Sequence, residues 1–191
     1  MKQTYTEEKT FTQIDFQKSP IQKGEYENCS FVNCDFSDTD LSEVAFVSCN
    51  FISCNLSLVK LTKTAFRDCK FNECKMLGIQ FNDCNPFGFS AGFSHCNLSH
   101  ASFFKIKLKN TVFKNCQLSE TDFTECDLTG SVFHNCDLAG AVFDNSNLEK
   151  ADFRTSHNYA IDPEINRIKK AKFGLPGVLA LLNKYDIVIE N

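Results

Sequence analysis

From Asn115 to Phe153 a large apolar residue returns at every fifth position without exception: Phe123, Leu128, Phe133, Leu138, Phe143, Leu148 and Phe153. Two residues before each stands something small, namely Thr121, Cys126, Ser131, Cys136, Ala141, Ser146 and Ala151. A period of five matches neither the 3.6 of a helix nor the 2 of an ordinary strand, so the repeat belongs to a coil of backbone rather than to either element. The small positions also recur on a twenty-residue lattice, with Cys96, Cys116 and Cys136 in one column, Cys29, Cys49 and Cys69 in another, and Cys34, Cys54 and Cys74 in a third. Twenty is four fives. The expected architecture is a four-sided parallel solenoid, one five-residue unit per side, with equivalent residues of successive turns stacked at roughly 4.8 Å.

Units such as Cys126-Asp127-Leu128-Thr129-Gly130 and Ala151-Asp152-Phe153-Arg154-Thr155 resemble the A(D/N)LXX pattern of the pentapeptide-repeat family, and the likeness covers nearly the whole chain. The resemblance implies an all-β solenoid in the form of a right-handed quadrilateral parallel β-helix.

Of 20 Phe, all but Phe87, Phe89 and Phe104 occupy centre positions, so stacking inside the coil accounts for the aromatic excess. All eleven Cys fall two places before a centre or, for Cys84, before Pro86. Elsewhere Ala, Ser, Thr, Val or Ile fills that slot, which therefore selects modest volume and low polarity, and free Cys serves as a small hydrophobe. The spacing Cys29-x4-Cys34 is wider than the usual pairing of zinc ligands and recurs on a lattice, so no metal is expected. Stacked turns would bring Cys Cα atoms within bridging distance, but Met1 to Thr10 has no apolar signal region, and reduced thiols in a cytoplasmic protein are expected.

Residues 1–13 read as a polar lead-in, because Lys9 and Ile14 occupy slots that should be small and Lys9 could not be buried unpaired. The repeat region spans 14–175, beginning in earnest near Phe16. Between Phe81 and Phe93 the lattice slips by two residues within 82–92, where Pro86, Gly88 and Gly92 supply the punctuation of a local irregularity. This is either a corner bulge or a small contact loop presenting Pro86, Phe87 and Phe89. Residues 156–175 keep the phase in a looser last turn ending at Phe173. In 176–191, Pro176 and the apolar spacing up to Lys184 suggest a short amphipathic helix, and Ile187 to Ile189 an extended end. The tail is expected to close the tube and, through Val178, Leu181, Leu182, Ile187 and Ile189, to hold a homodimer.

Nothing in the pattern calls for catalysis. Side chains fill the interior, the four His lie on outward positions or in the looser turn, and no phosphate loop, dinucleotide turn or metalloprotease motif is present. No catalytic residue and no cofactor is expected, nor a membrane span or direct contact with nucleic acid. Charge is more informative. Gln117 to Asp152 contains Glu120, Asp122, Glu125, Asp127, Asp137, Asp144, Glu149 and Asp152 against the single base Lys150. At the strand spacing this falls within about 9 Å of axis, a local density reaching that of duplex DNA at one charge per about 1.7 Å. Lys105, Lys107, Lys109 and Lys114 flank the band on one side and Arg167, Lys169, Lys170 and Lys172 on the other, placed either to neutralise it or to contact an acidic partner.

The C-terminal Ala171-Lys172-Phe173 turn, followed by Leu181-Leu182 and Ile187 to Ile189, is similar to the tail of the quinolone-resistance members of the family. That resemblance implies a DNA mimic, dimeric through its C-terminus, that binds DNA gyrase or topoisomerase IV and gives quinolone resistance. Several of those members project longer loops, which this chain lacks. The alternative is a protein-binding scaffold with a different partner.

Overall fold

A computed structural model describes residues 4–185 together with 187 and 188. The chain is a right-handed quadrilateral β-helix whose rungs run parallel. One sheet joins β1 (Thr4–Glu7), β3 (Gly24–Glu27), β5 (Ala45–Val47) and β7 (Ala65–Arg67). A longer sheet orders β2 (Thr10–Thr12), β4 (Ser30–Val32), β6 (Asn50–Ile52), β8 (Cys69–Asn72), β9 (Ala91–Ser94), β10 (Val112–Lys114) and β11 (Val132–His134). These sheets form sides 1 and 2. Sides 3 and 4 are held by single parallel bridges such as Asn97↔Gln117 and Ser102↔Asp122.

Corners recur every five residues because the residue two places after most centres adopts the left-handed region, as do Asn110 (φ 56°), Asn115 (53°), Glu120 (54°) and Glu125 (55°). A β-branched side chain would be strained there, and none of the left-handed corners carries Val, Ile or Thr; Asn, Asp, Glu, Lys, Ser and Gly fill most of them. The residue before many centres secures the same corner. The Oδ1 atoms of Asp122, Asp127 and Asp137 accept the backbone N–H of Thr124, Thr129 and Ala139 at 2.9, 3.2 and 3.2 Å. These are Asx turns, which bend the chain without help from another turn of the coil.

Nine Phe stack on side 2 in an unbroken file, Phe11, Phe31, Phe51, Phe71, Phe93, Phe113, Phe133, Phe153 and Phe173, with centroids 4.7–5.6 Å apart. Phe81, Phe103, Phe123 and Phe143 form a second file on side 4 and meet the first edge to face. Both geometries are favoured by the ring quadrupole.

The slot ahead of each centre is small, but low polarity is not its requirement. Its side chain donates to the carbonyl of the residue 23 places earlier: Cys54 to Phe31 (3.3 Å), Thr64 to Leu41 (2.7 Å), Thr121 to Leu98 (3.0 Å) and Ser156 to Phe133 (2.7 Å). Ser and Thr are therefore satisfied when buried, and Cys makes the weaker version of the same bond. All eleven Cys are free and buried, and burial pushes the Cys69 and Cys126 thiols up to about 12. Thiols held neutral in this way are poor nucleophiles.

Two sequence expectations change. Of the residues 1–13 expected as a lead-in, 4–13 already belong to the coil, since β1 and β2 pair with β3 and β4, and Phe11 begins the Phe file 4.9 Å from Phe31. Lys9 is exposed because an end turn has a neighbour on one side only, so its slot is not enclosed. The second change concerns the slip. Phe71 pairs with Phe93 and Cys69 with Ala91, a local turn of twenty-two residues. Two of the expected Cys columns are consequently one continuous column, Cys34, Cys54, Cys74, Cys96, Cys116 and Cys136, capped by Ser156.

Candidate partner-binding surface

The slip builds a loop on side 1. Asn85 takes its place above Thr64 through a 2.9 Å backbone bond and turns the chain by accepting the Phe87 N–H at 3.0 Å. Pro86, Phe87 and Gly88 then leave the coil, with Phe87 80% exposed. Phe89 returns. It packs edge to face on Phe66 and Phe81 at 6.5 and 5.7 Å, so it is half-buried against the core where Phe87 is the exposed ring of the loop. The first sheet ends at β7 because the loop passes where its next strand would lie.

The acidic band does not form one face. Asp127 and Glu149 project from side 1, Asp152 from side 2 and Asp137 from side 3. Each meets a cation or amide of its own chain: Asp127 with Lys109 (3.1 Å), Glu149 with Arg167 (2.7 Å), Asp152 with Arg154 and Lys172 (2.8 and 3.8 Å), and Asp137 with Asn158 (2.9 Å) and His157 (3.9 Å). These partners lie two or about twenty residues away, beside the acid or one rung along. Arg154 and Lys172 hold the Asp152 carboxyl below its ordinary range. The flanking bases thus act partly as internal counterions.

What remains is one-sided. Asp122 and Asp144 project from side 4, and Glu120 and Glu125 mark its corners. Among the described residues, Asp122 and Asp144 have no ion-pair partner, while Glu120 and Glu125 meet His100 and Lys105 at 3.2 and 3.4 Å in exposed pairs. Exposed pairs of this kind contribute about 0–1 kcal/mol and leave the carboxylates open to competition.

The other His side chains take polar roles on the surface. The His95 ring, the Asn115 amide and the Asn135 amide form a vertical ladder at 3.1 and 2.9 Å, and His134 lies 3.2 Å from the Thr155 hydroxyl. Among the described residues, no group of three or more Cys, His, Asp or Glu is placed to hold a metal.

The tail begins as a four-residue helix, α1 (Leu175–Val178), and continues as a 3-10 helix over Leu179–Tyr185, shorter in α-helical content than the periodicity suggests. Ala180 and Leu181 pack inward against the end of the coil, while Leu175, Val178, Leu179, Ile187 and Val188 are exposed. Leu182 is half-buried, and Ile189 lies outside the described residues. Leu181 thus closes the tube rather than facing outward. Lys184 fastens the tail by bridging Asp162 (2.8 Å) and Glu164 (2.5 Å), and Tyr185 donates to Glu164 at 2.7 Å.

A coil of parallel rungs with a filled interior and left-handed corners every five residues defines a class of structural β-solenoids. The pentapeptide repeat region model matches residues 24–86 and 89–158, and the chain belongs to the pentapeptide repeat family. The two matched segments meet at the loop. Among solved structures, full-length QnrB1, a plasmid-mediated fluoroquinolone resistance protein, is 18% identical with a TM-score of 0.59, over 96% of this chain and all of that one. A trypsin-treated form of the same protein is 21% identical at a TM-score of 0.56, covering 98% and 92% of the two chains. HetL, a pentapeptide repeat protein involved in heterocyst differentiation regulation in the cyanobacterium Nostoc, is 13% identical at 0.50, covering 91% and 87%. At such identities the likeness is one of fold. No curated protein matches the sequence. No helix among the described residues is long and apolar enough to cross a membrane.

Proposed function

We propose that this protein is a non-catalytic binding rod of the cytoplasm, dimeric through its C-terminal tail, that engages a type II topoisomerase, DNA gyrase or topoisomerase IV, as a partial DNA mimic and lowers its sensitivity to quinolones. The observation that carries the reading is the acidic strip of side 4, where Glu120, Asp122, Glu125 and Asp144 stand on successive rungs of the turns nearest the tail. Neutralisation of the remaining acids concentrates the negative field on that side, which would steer the rod toward a basic groove and away from nucleic acid. The similarity in fold to a fluoroquinolone resistance protein agrees with this choice of partner.

The test is a gyrase supercoiling assay with and without a fluoroquinolone, run on the wild type and on a Glu120→Gln, Asp122→Asn, Glu125→Gln triple variant. Asn keeps the acceptor that secures the Thr124 corner, so the coil stays intact while charge is removed. Protection by the wild type, falling with salt and lost in the triple variant, is the expected result. Indifference of the enzyme to the wild type at low salt would remove the topoisomerase reading. A scaffold for another protein would replace it, as the internal pairing of Asp127, Glu149 and Asp152 already favours over a uniform DNA-like rod.

A further inference from the structure

Charge along the rod falls into three zones. Residues 60–114 carry nine Lys and Arg against three Asp and Glu, whereas 1–59 carry four against nine and 115–191 seven against twelve. A basic waist, about 13 Å tall at the strand spacing, therefore separates two acidic ends. Its bases gather on side 1 and its edges, with Arg67, Lys107 and Lys109 on the side itself and Lys70 just around the corner on side 2.

That corner is also where the surface is indented. Position 92 lies on the rung between Lys70 and Val112 and carries no side chain, which opens a hollow of about 250 Å³ floored by Ala91 and Gly92. Ser90 from the loop lines it with Asn110 and Thr111, Lys70 and Lys109 stand at its rim beside the single carboxylate of Asp68, and the 46%-exposed Val112 forms one wall. Alongside, Gly88 turns the loop in the left-handed region (φ 72°), where a Cβ would lie 3.6 Å from the Arg67 Nε, and Phe87 stands out in solvent. A recess with a small apolar floor, a projecting aromatic ring and the cationic groups of Arg67, Lys70 and Lys109 thus share one corner, three cations against the one carboxylate of Asp68.

We propose that this corner is a docking site for an acidic peptide segment of a partner protein, its carboxylates on Arg67, Lys70 and Lys109 and one aliphatic or aromatic side chain in the hollow above Gly92. Charge complementarity selects an acidic occupant. The size of the waist selects a short one: an acidic peptide can confine its charges to about 13 Å, while a longer polyanion such as a nucleic-acid strand would meet the acidic ends within about a Debye length of 8–10 Å. The recess and Phe87 supply the apolar anchoring that ordinarily dominates such interfaces. Lys109 exchanges its exposed pairing with Asp127 for the incoming carboxylate, a substitution of one solvated pair for another. The site is separate from the acidic strip of side 4, so neither depends on the other.

The test is fluorescence polarisation with a labelled ten-residue peptide of Glu carrying a central Leu-Phe pair, beside the same peptide with Ser-Ser at the centre and a labelled oligothymidylate. Binding of the Leu-Phe peptide at low salt, about tenfold weaker for the Ser-Ser peptide and weakening as salt rises, is expected. Gly92→Leu should reduce affinity at least tenfold with an unchanged melting temperature, because a Cβ at that position meets nothing within 4 Å and the variant fills the hollow without straining the coil. Lys70→Glu with Lys109→Glu should abolish binding. Failure of the wild type to bind the peptide at about 50 mM salt, or equal binding by Gly92→Leu, overturns the proposal, and tighter binding of the oligothymidylate would make the waist a nucleic-acid surface instead.

Discussion

Replacing Cys136 tests the rule that builds the interior. Its side chain is fully buried in the column between Cys116 and Ser156, and its thiol donates to the Phe113 carbonyl at 3.4 Å. Ser in the same slot one rung further on makes the equivalent bond to Phe133 at 2.7 Å, so Cys136→Ser should stay within about 1 kcal/mol of the wild type. Cys136→Ala loses the donor but creates little space and should cost about 0.5–1 kcal/mol. Cys136→Leu is different in kind. The rungs above and below are fixed by backbone bonds such as Asp137 N–H to the Cys116 carbonyl (3.1 Å) and His157 N–H to the Cys136 carbonyl (3.1 Å), so extra volume has no direction in which to relax. Overpacking of a close-packed interior costs about 1–3 kcal/mol, and here the upper end applies. For a chain of this length about 3 kcal/mol lowers the melting temperature by roughly 6–12 °C. Thermal unfolding followed by circular dichroism should order the variants wild type and Ser first, Ala next and Leu well below. Equal melting temperatures for Ala and Leu would refute both the inward placement of the column and the argument from fixed rungs.

Gly177→Val should lift the tail from the coil, since a Cβ there would lie 1.8 Å from the hydroxyl of the buried Tyr159, and limited proteolysis should then cleave within 175–185 while the coil remains resistant. The Lys184 fastening should open in acid. Lys184 holds the Asp162 and Glu164 carboxyls below their ordinary values, so its contribution is complete above those values and lost as pH falls through the lowered ones. Hydrogen exchange of the tail, corrected for intrinsic rates, should rise below about pH 4 in the wild type, and Lys184→Met should remove the pH dependence. Sedimentation of Leu182→Glu should give a monomer where the wild type is a dimer; a wild-type monomer would sink the proposed assembly.

The five-residue period was sufficient for the fold because it is a property of local chemistry repeated. A small donor, an Asx-capable residue, a large apolar centre and a left-handed corner each act within one unit or on the unit directly above, so Phe123 and Cys126 announce their environment without knowledge of distant chain. Tertiary structure decided whatever depends on which units share a vertical edge. Cys74 and Cys96 stand in one column only because the loop lengthens that turn to twenty-two residues, and Phe89, three places past the position twenty after Phe66, packs against the core for the same reason. Lys9 can occupy a core slot because the first turn is open on one side. The charge pattern was the least legible. Eight acids in one stretch look like a band in sequence, yet a coil turns by a right angle every five residues and distributes them over four sides. The cations that neutralise Asp127 and Glu149 lie eighteen residues away along the chain but one rung away in space, a proximity that only the stacking of turns creates.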